Sequence, residues 1–149
     1  MGDLLVRAVA RYPDQRALID NSETVTYREL GVRVSRAAAL LRRVGVRRGQ
    51  GVAQLAGNSI TTWVVQAATY IIGARYVGLN PHAGTDDVDF ILRDSASEVL
   101  IVDQEHAPRV VVASMAVGRV LDQEDVRAAA QQGTDSATEA RLVPRGTGW

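Results

Sequence analysis

Few side chains in this sequence could do chemistry. Its two histidines are His82 and His106, it has no cysteine, and all 17 of its basic residues are arginine. The absence of cysteine excludes disulfides, thiolate metal sites and a cysteine nucleophile. The absence of lysine excludes a Walker phosphate loop and a Schiff-base mechanism. His82 and Asp103 could form an acid–base pair, but nothing in the sequence brings them together, and a surface histidine in a loop is the simpler reading. Asp86, Asp87 and Asp89 could approach a metal ion. They also stand at the start of an expected helix, where acid complements the helix dipole, and no further ligand is near. Glu105 with His106 offers no more. Gly57-Asn58-Ser59 resembles a phosphate-binding turn, because glycine admits close backbone approach and a helix N-terminus favours anions. A plain helix cap at Ser59 accounts for the same residues. No catalytic, cofactor-binding or metal-ligating residue is therefore expected in this chain.

The elements that would position these residues follow from periodicity and capping. Asp3 is expected to cap a short helix running to Arg11, with Leu4, Leu5, Ala8 and Val9 as its apolar stripe, and Tyr12-Pro13-Asp14 stops it. "ALID" (17–20) and "TVT" (24–26) flank Asn21-Ser22-Glu23 as a short β-hairpin. Thr26-Tyr27-Arg28-Glu29 fits a capping box. Leu30, Val34, Ala37 and Leu41 recur behind it at helical spacing, which predicts a helix over 27–44. Arg28, Arg33, Arg36, Arg42 and Arg43 lie on its outer face, as an anion patch or a solvated face. "VAQLA" (52–56) predicts a strand. Ser59 caps a second long helix whose buried side is Ile60, Trp63, Val64, Ala67, Tyr70 and Ile71, and Gly73 ends it. "RYVGLNP" (75–81) is the next strand, Thr85 caps a further helix, and "EVLIVD" (98–103) reads as a buried parallel strand. Pro108 suits the first turn of another helix. "RVL" (119–121) and a polar helix over 124–132 complete the pattern.

From residue 50 onward strand and helix alternate. This predicts an α/β fold: a layered parallel sheet with helices on its faces, plus the short N-terminal hairpin. At 149 residues with 46% hydrophobic content, the chain can build one core. The formal net charge is zero, so composition points to no broad nucleic-acid or acidic-membrane surface. The N-terminus lacks the pattern of a signal peptide and no apolar run reaches membrane-helix length. The expected location is cytoplasmic. Beyond Thr134 the composition has no period.

Four stretches, in order, give the chain a family resemblance. "TVTYREL" is similar to the first core motif of the adenylate-forming (AMP-binding) superfamily, Thr/Ser-Tyr-x-Glu-Leu. "GVRRGQGVAQLAGNS" resembles the stretch Gly-Val-x-x-Gly-Asp-x-Val-Ala followed by Asn-Ser, with Gln50 and Gly51 departing from the usual residues in a turn. "IIGARYVGLNP" resembles the second core motif, and "DDVDFILRDSASEVLIVD" the helix and strand after it. Order and spacing hold from about residue 8 to residue 121. The "GARYVGLNP" stretch leans toward acyl- or aryl-CoA ligases.

The resemblance implies the N-terminal part of an ATP-dependent acyl- or aryl-CoA ligase, with residues 1–133 as the first α/β subdomain and 134–149 as a linker before the phosphate loop. "LVPRG" (142–146) also coincides with a protease-cleavage sequence used in recombinant proteins. ATP, Mg and CoA are the cofactors implied for the parent enzyme, and none is expected to bind this chain alone. The implied partners are the second α/β subdomain and the C-terminal domain, with self-association if these are missing. The alternatives are a standalone non-catalytic scaffold and the front of a peptide-synthetase adenylation domain. Nucleic acid is not among the expected partners.

Overall fold

The computed structural model describes residues 2–110 and 117–132. The expected linker over 134–149 lies outside the described residues. Helix α1 (Gly2–Arg11) leads into a hairpin of β1 (Arg16–Ile19) and β2 (Thr24–Thr26), followed by α2 (Tyr27–Arg43). Then come β3 (Gly51–Leu55), α3 (Ile60–Ile72), β4 (Arg75–Leu79), α4 (Thr85–Asp94) and β5 (Ser97–Val102). A 3-10 turn (Ala107–Val110), β6 (Arg119–Asp122) and α5 (Gln123–Gln131) finish the described chain.

Local chemistry explains most boundaries. Thr26 and Glu29 form the expected capping box: the Glu29 N–H donates to Thr26 Oγ1 at 3.3 Å, and the Thr26 N–H donates to Glu29 Oε2 at 2.8 Å. Ser59 caps α3 by accepting the Thr62 N–H at 3.1 Å, and Gly73 ends that helix at φ 76°, where a Cβ would be strained. Two expected caps are displaced. Asp3 lies inside the first turn of α1, where its charge still suits the dipole. Gly84 rather than Thr85 is the cap of α4, and it has no side chain to offer. The helix expected at Pro108 is only the short 3-10 turn, and the strand expected over 75–81 ends at Leu79.

Strands β3 to β6 form one parallel sheet in the order β4-β3-β5-β6. Side chains alternate across it. Val52, Val99 and Ile101 face a layer made by α1, α2, α3 and α5, while Ala53, Leu55, Leu100 and Val102 face α4 and the 3-10 turn. β3 and β5 approach closely at Gly51, where a Cβ would lie 2.9 Å from the Ser97 Cα. On α3 the buried stripe is Ile60, Val64, Val65, Ala67, Ala68, Thr69 and Ile72. Trp63, Tyr70 and Ile71, expected within it, are half-buried: they flank the stripe rather than occupy it.

Candidate functional site

β3 is continued by α3 to β4 on one side, while its other neighbour is β5. The order therefore switches between β3 and β5, and in open α/β sheets a crevice at the carboxyl ends of such strands is the usual ligand position. Here that point is closed by Asp103. Its Oδ2 accepts the Gly57 N–H at 2.9 Å, and its Oδ1 accepts the His106 N–H at 2.9 Å and lies 2.6 Å from His106 Nδ1. Burial pushes the Asp103 carboxyl up, but these hydrogen bonds outweigh it and hold the group below its ordinary range. The carboxylate thus ties the turn after β3 to the turn after β5.

Beside this clasp lies a cleft of about 430 Å³, lined by Gln54, Gly57, Asn58, Thr62, Tyr76, His82, Glu105 and His106 among others. Its floor is a buried polar chain. The Tyr76 hydroxyl donates to Gln54 Oε1 at 3.0 Å, and Gln54 Nε2 donates to Gln123 Oε1 at 2.6 Å. Gln54 is 2% exposed, so each bond replaces water that the side chain has lost. Burial, and to a lesser degree the neighbouring Tyr70, raises the Tyr76 hydroxyl above its usual value. Tyr76 therefore stays a neutral donor.

The candidates read from sequence are partly brought together. His82 and His106 both line the cleft, but the partner of Asp103 is His106. The His82 side chain is exposed, and its N–H donates to Asn80 Oδ1 at 2.9 Å. Asp89 pairs with Arg93 at 2.8 Å, and Asp86 and Asp87 are exposed in the first turn of α4. Among the described residues no three His, Asp or Glu side chains converge as a metal site requires. Gln54 offers only a lone amide in an apolar strand as a signal in the sequence, and Gln123, at the start of α5, offers none.

The turn Gly57-Asn58-Ser59 is a cap rather than a phosphate cradle. The Gly57 N–H is taken by Asp103, and the Ile60 N–H points at Asp20 Oδ2, 3.4 Å away. The Ser22 hydroxyl and N–H, then the Glu23 N–H, lower Asp20 to about 2, so it is charged at neutral pH. Two carboxylates already take the N–H groups of this turn, and no arginine lines the cleft. These residues do not fit ATP. What they can do is orient a neutral polar group through Gln54, Tyr76, Asn58 and Thr62.

A parallel sheet with this strand order, crossed by capped helices and preceded by a hairpin, defines an α/β layer. The sequence matches the AMP-binding enzyme family over residues 5–145, and the chain belongs to that family. It is 38% identical over 121 residues to a feruloyl-CoA synthase of an Amycolatopsis species, covering 81% of this chain and 24% of that protein. Malpibaldin synthetase of Mortierella alpina is 38% identical over 96 residues, 64% of this chain and 2% of that protein. The o-succinylbenzoate CoA synthetase of Bacillus subtilis, solved with an acyl-adenylate intermediate, superposes with a TM-score of 0.75 at 28% identity, over 82% of this chain and 31% of that one. A Mycobacterium tuberculosis fatty acyl CoA synthetase shares the fold, with a TM-score of 0.79 at 23% identity over 87% of this chain and 28% of its own. The chain spans about a quarter of the feruloyl-CoA synthase it matches.

Proposed function

We propose that this chain is the N-terminal subdomain, residues 1–133 with a following linker, of an ATP-dependent ligase that activates an acyl or aryl carboxylate as its adenylate and passes it to CoA. The observation that carries this reading is the family match along residues 5–145, together with 38% identity to a feruloyl-CoA synthase over 121 residues. The match to Malpibaldin synthetase, at the same identity over 96 residues, supports as a second reading the front of a peptide-synthetase adenylation domain.

In the proposed enzyme this chain supplies scaffold rather than chemistry. Adenylation requires cations and backbone donors around the transferring phosphate. The chain has no lysine, and the N-terminus of α3 beside the cleft is guarded by Asp20 and Asp103. ATP, Mg and CoA would be held mainly by the rest of the ligase, its partner in a cytoplasmic enzyme. The present residues fix one wall of the shared cleft. Where that partner is missing, self-association follows.

ATP–pyrophosphate exchange over a panel of aryl and fatty acids tests the proposal. The 149-residue chain is expected to show no exchange with any acid. Exchange by the purified chain would overturn the scaffold role. The ligase reading itself fails if a protein containing this chain and the later family motifs activates no carboxylate.

A further inference from the structure

The chain is formally neutral, but its fold does not spread the charge evenly. In a parallel α/β layer the crossover helices run against the strands, so helix N-termini gather at one end and C-termini at the other. Acid is favoured at the first and arginine at the second. Glu29, Asp86, Asp87, Glu124 and Asp125 occupy first turns, and Asp103 and Glu105 follow β5 at the same end. The opposite end carries Arg93 in the last turn of α4, paired with Asp89, and six further exposed arginines: Arg42, Arg43, Arg47, Arg48, Arg75 and Arg119. These six sit on the last turn of α2, the α2–β3 loop and the first residues of β4 and β6. β4 and β6 are the outer strands, so the cluster spans the sheet, about 14 Å at ordinary strand spacing.

The two ends also differ in how charge is used. Toward the acidic end Arg28, Arg33 and Arg127 pair with Asp14, Glu23 and Glu124. At the other end Arg93 alone pairs, with Asp89, and none of the six further arginines forms an ion pair among the described residues. Three of the six are fastened to backbone carbonyls instead. Arg47 Nη1 donates to the Arg42 carbonyl at 3.1 Å, Arg75 donates to the carbonyls of Gly49 and Ser95, both at 3.1 Å, and Arg119 donates to that of Val44. Asp3, Asp94 and Glu98 are the carboxylates at this end, and Glu98 accepts a hydrogen bond from Gln50. Positive charge is in clear excess there, and part of it is held in place.

We propose that the arginine end docks on an anionic lipid leaflet, with the acidic end turned away. The cluster lies on short loops at the end of a sheet, a broad face rather than a groove. A charged leaflet attracts such a face without demanding a complementary shape, each arginine adding to the attraction. The separation of charge fixes one orientation, since turning the molecule over would bring its carboxylates to the lipid. Val120, beside Arg119 and 41% exposed, offers an apolar contact. Single-stranded nucleic acid is disfavoured because its binding sites add aromatic platforms to the cations. Tyr76, the aromatic residue next to Arg75, packs on the core.

Vesicle flotation of the 149-residue chain tests this without any use of ATP or a carboxylate substrate. The chain is expected to float with vesicles of phosphatidylcholine and phosphatidylglycerol and not with phosphatidylcholine alone, and to detach as salt is raised. Arg43→Gln with Arg48→Gln should weaken binding about tenfold or more. These two side chains donate no hydrogen bond among the described residues, so the fold should be kept, with circular dichroism as the check. Arg43→Lys with Arg48→Lys should restore binding, and Arg28→Gln at the acidic end should leave it unchanged. If the double glutamine variant misfolds, each single variant is read separately. Failure to float with anionic vesicles, equal binding to neutral ones, or undiminished binding by the folded glutamine variants overturns the proposal. Preferential capture by a single-stranded oligonucleotide at equal charge overturns it in favour of nucleic acid.

Discussion

The sheet face that carries α1, α2, α3 and α5 and the face that carries α4 are built to different depths. Among the described residues the first buries a cluster of twenty hydrophobic residues and the second a cluster of eight. α2 opens with a complete capping box, whereas α4 opens on Gly84 with no side-chain cap. On the thick face a helical layer encloses even a polar chain through Gln54. On the thin face the outer side of α4 leaves Phe90 66% exposed. A subdomain complete in itself would have little reason to finish its two faces so unequally. One that meets a further layer on the thin side would.

The largest effect should come from the thick core. Leu41 on α2 and Leu92 on α4 are both fully buried, so burial alone predicts equal losses. The difference in surroundings predicts otherwise. Leu41→Ala should cost about 3–5 kcal/mol and Leu92→Ala about 2–3 kcal/mol, because the thinner layer can collapse into the space. Denaturant midpoints decide it, and equal losses would erase the distinction between the faces.

A smaller loss is expected at the polar chain. Gln54→Leu leaves the Tyr76 hydroxyl and Gln123 Oε1 without their partner, a cost of about 1–3 kcal/mol. Adding Gln123→Leu should recover part of that loss, since one orphaned acceptor is then gone. Strict additivity of the two changes would show that the amides do not act together.

The caps sharpen the same contrast at lower cost. Thr26→Ala should destabilise by about 0.5–2 kcal/mol. Glu29→Ala should cost less, and the double variant less than the sum, because the two residues close one box. At the other helix, Gly84→Ser should gain a few tenths of a kcal/mol. The backbone there is already extended and the nearest atom to a new Cβ is 3.5 Å away. A loss on Gly84→Ser would mean that the bare cap serves something other than folding.

How much of this was legible in the sequence depended on the range of the interaction. The capping box of α2, the Ser59 cap and the Gly73 stop are settled within four residues, and the structure has them as read. So did the alternation of strand and helix that defines the class. The cap at Gly84 is not legible in the sequence, because Thr85 is the better capping residue by type, while the backbone enters the helix one position earlier. Size and apolarity favour burial of Trp63 and Tyr70, yet the smaller Ala67, Ala68 and Thr69 let α3 approach its neighbours. The Gln54–Gln123 bond joins residues 69 apart, and no local pattern announces it. By helical spacing the arginines of α2 form one face. In the fold Arg28 and Arg33 are neutralised by Asp14 and Glu23, and the free charge collects at the sheet end. That segregation depends on helix direction, which a net charge of zero conceals.

The smallest effect on stability, and the most direct test of the unequal faces, is at Phe90. Trp63 and Tyr76 pack against the large core cluster, and Tyr70 meets Tyr76 at a tilt, with ring centroids 6.0 Å apart. Among the described residues the most exposed large apolar side chain on the thin face is Phe90. Phe90→Ser should change the unfolding free energy by no more than about 0.5 kcal/mol, since an exposed side chain gives up little on removal. It should nevertheless lower the binding of a hydrophobic dye and the self-association of the chain at micromolar concentration, because an apolar patch left without its covering layer attracts both. Val32→Ser supplies the control: it is 44% exposed on α2, over the thick face, and its removal should leave dye binding unchanged. Sedimentation velocity with a parallel dye titration separates the outcomes. If the parent chain is a clean monomer that takes up no dye, the thin face is finished as it stands and the standalone scaffold becomes the better account. If Val32→Ser and Phe90→Ser act alike, the adhesive surface is not on the α4 side, and the two faces differ in depth without differing in use.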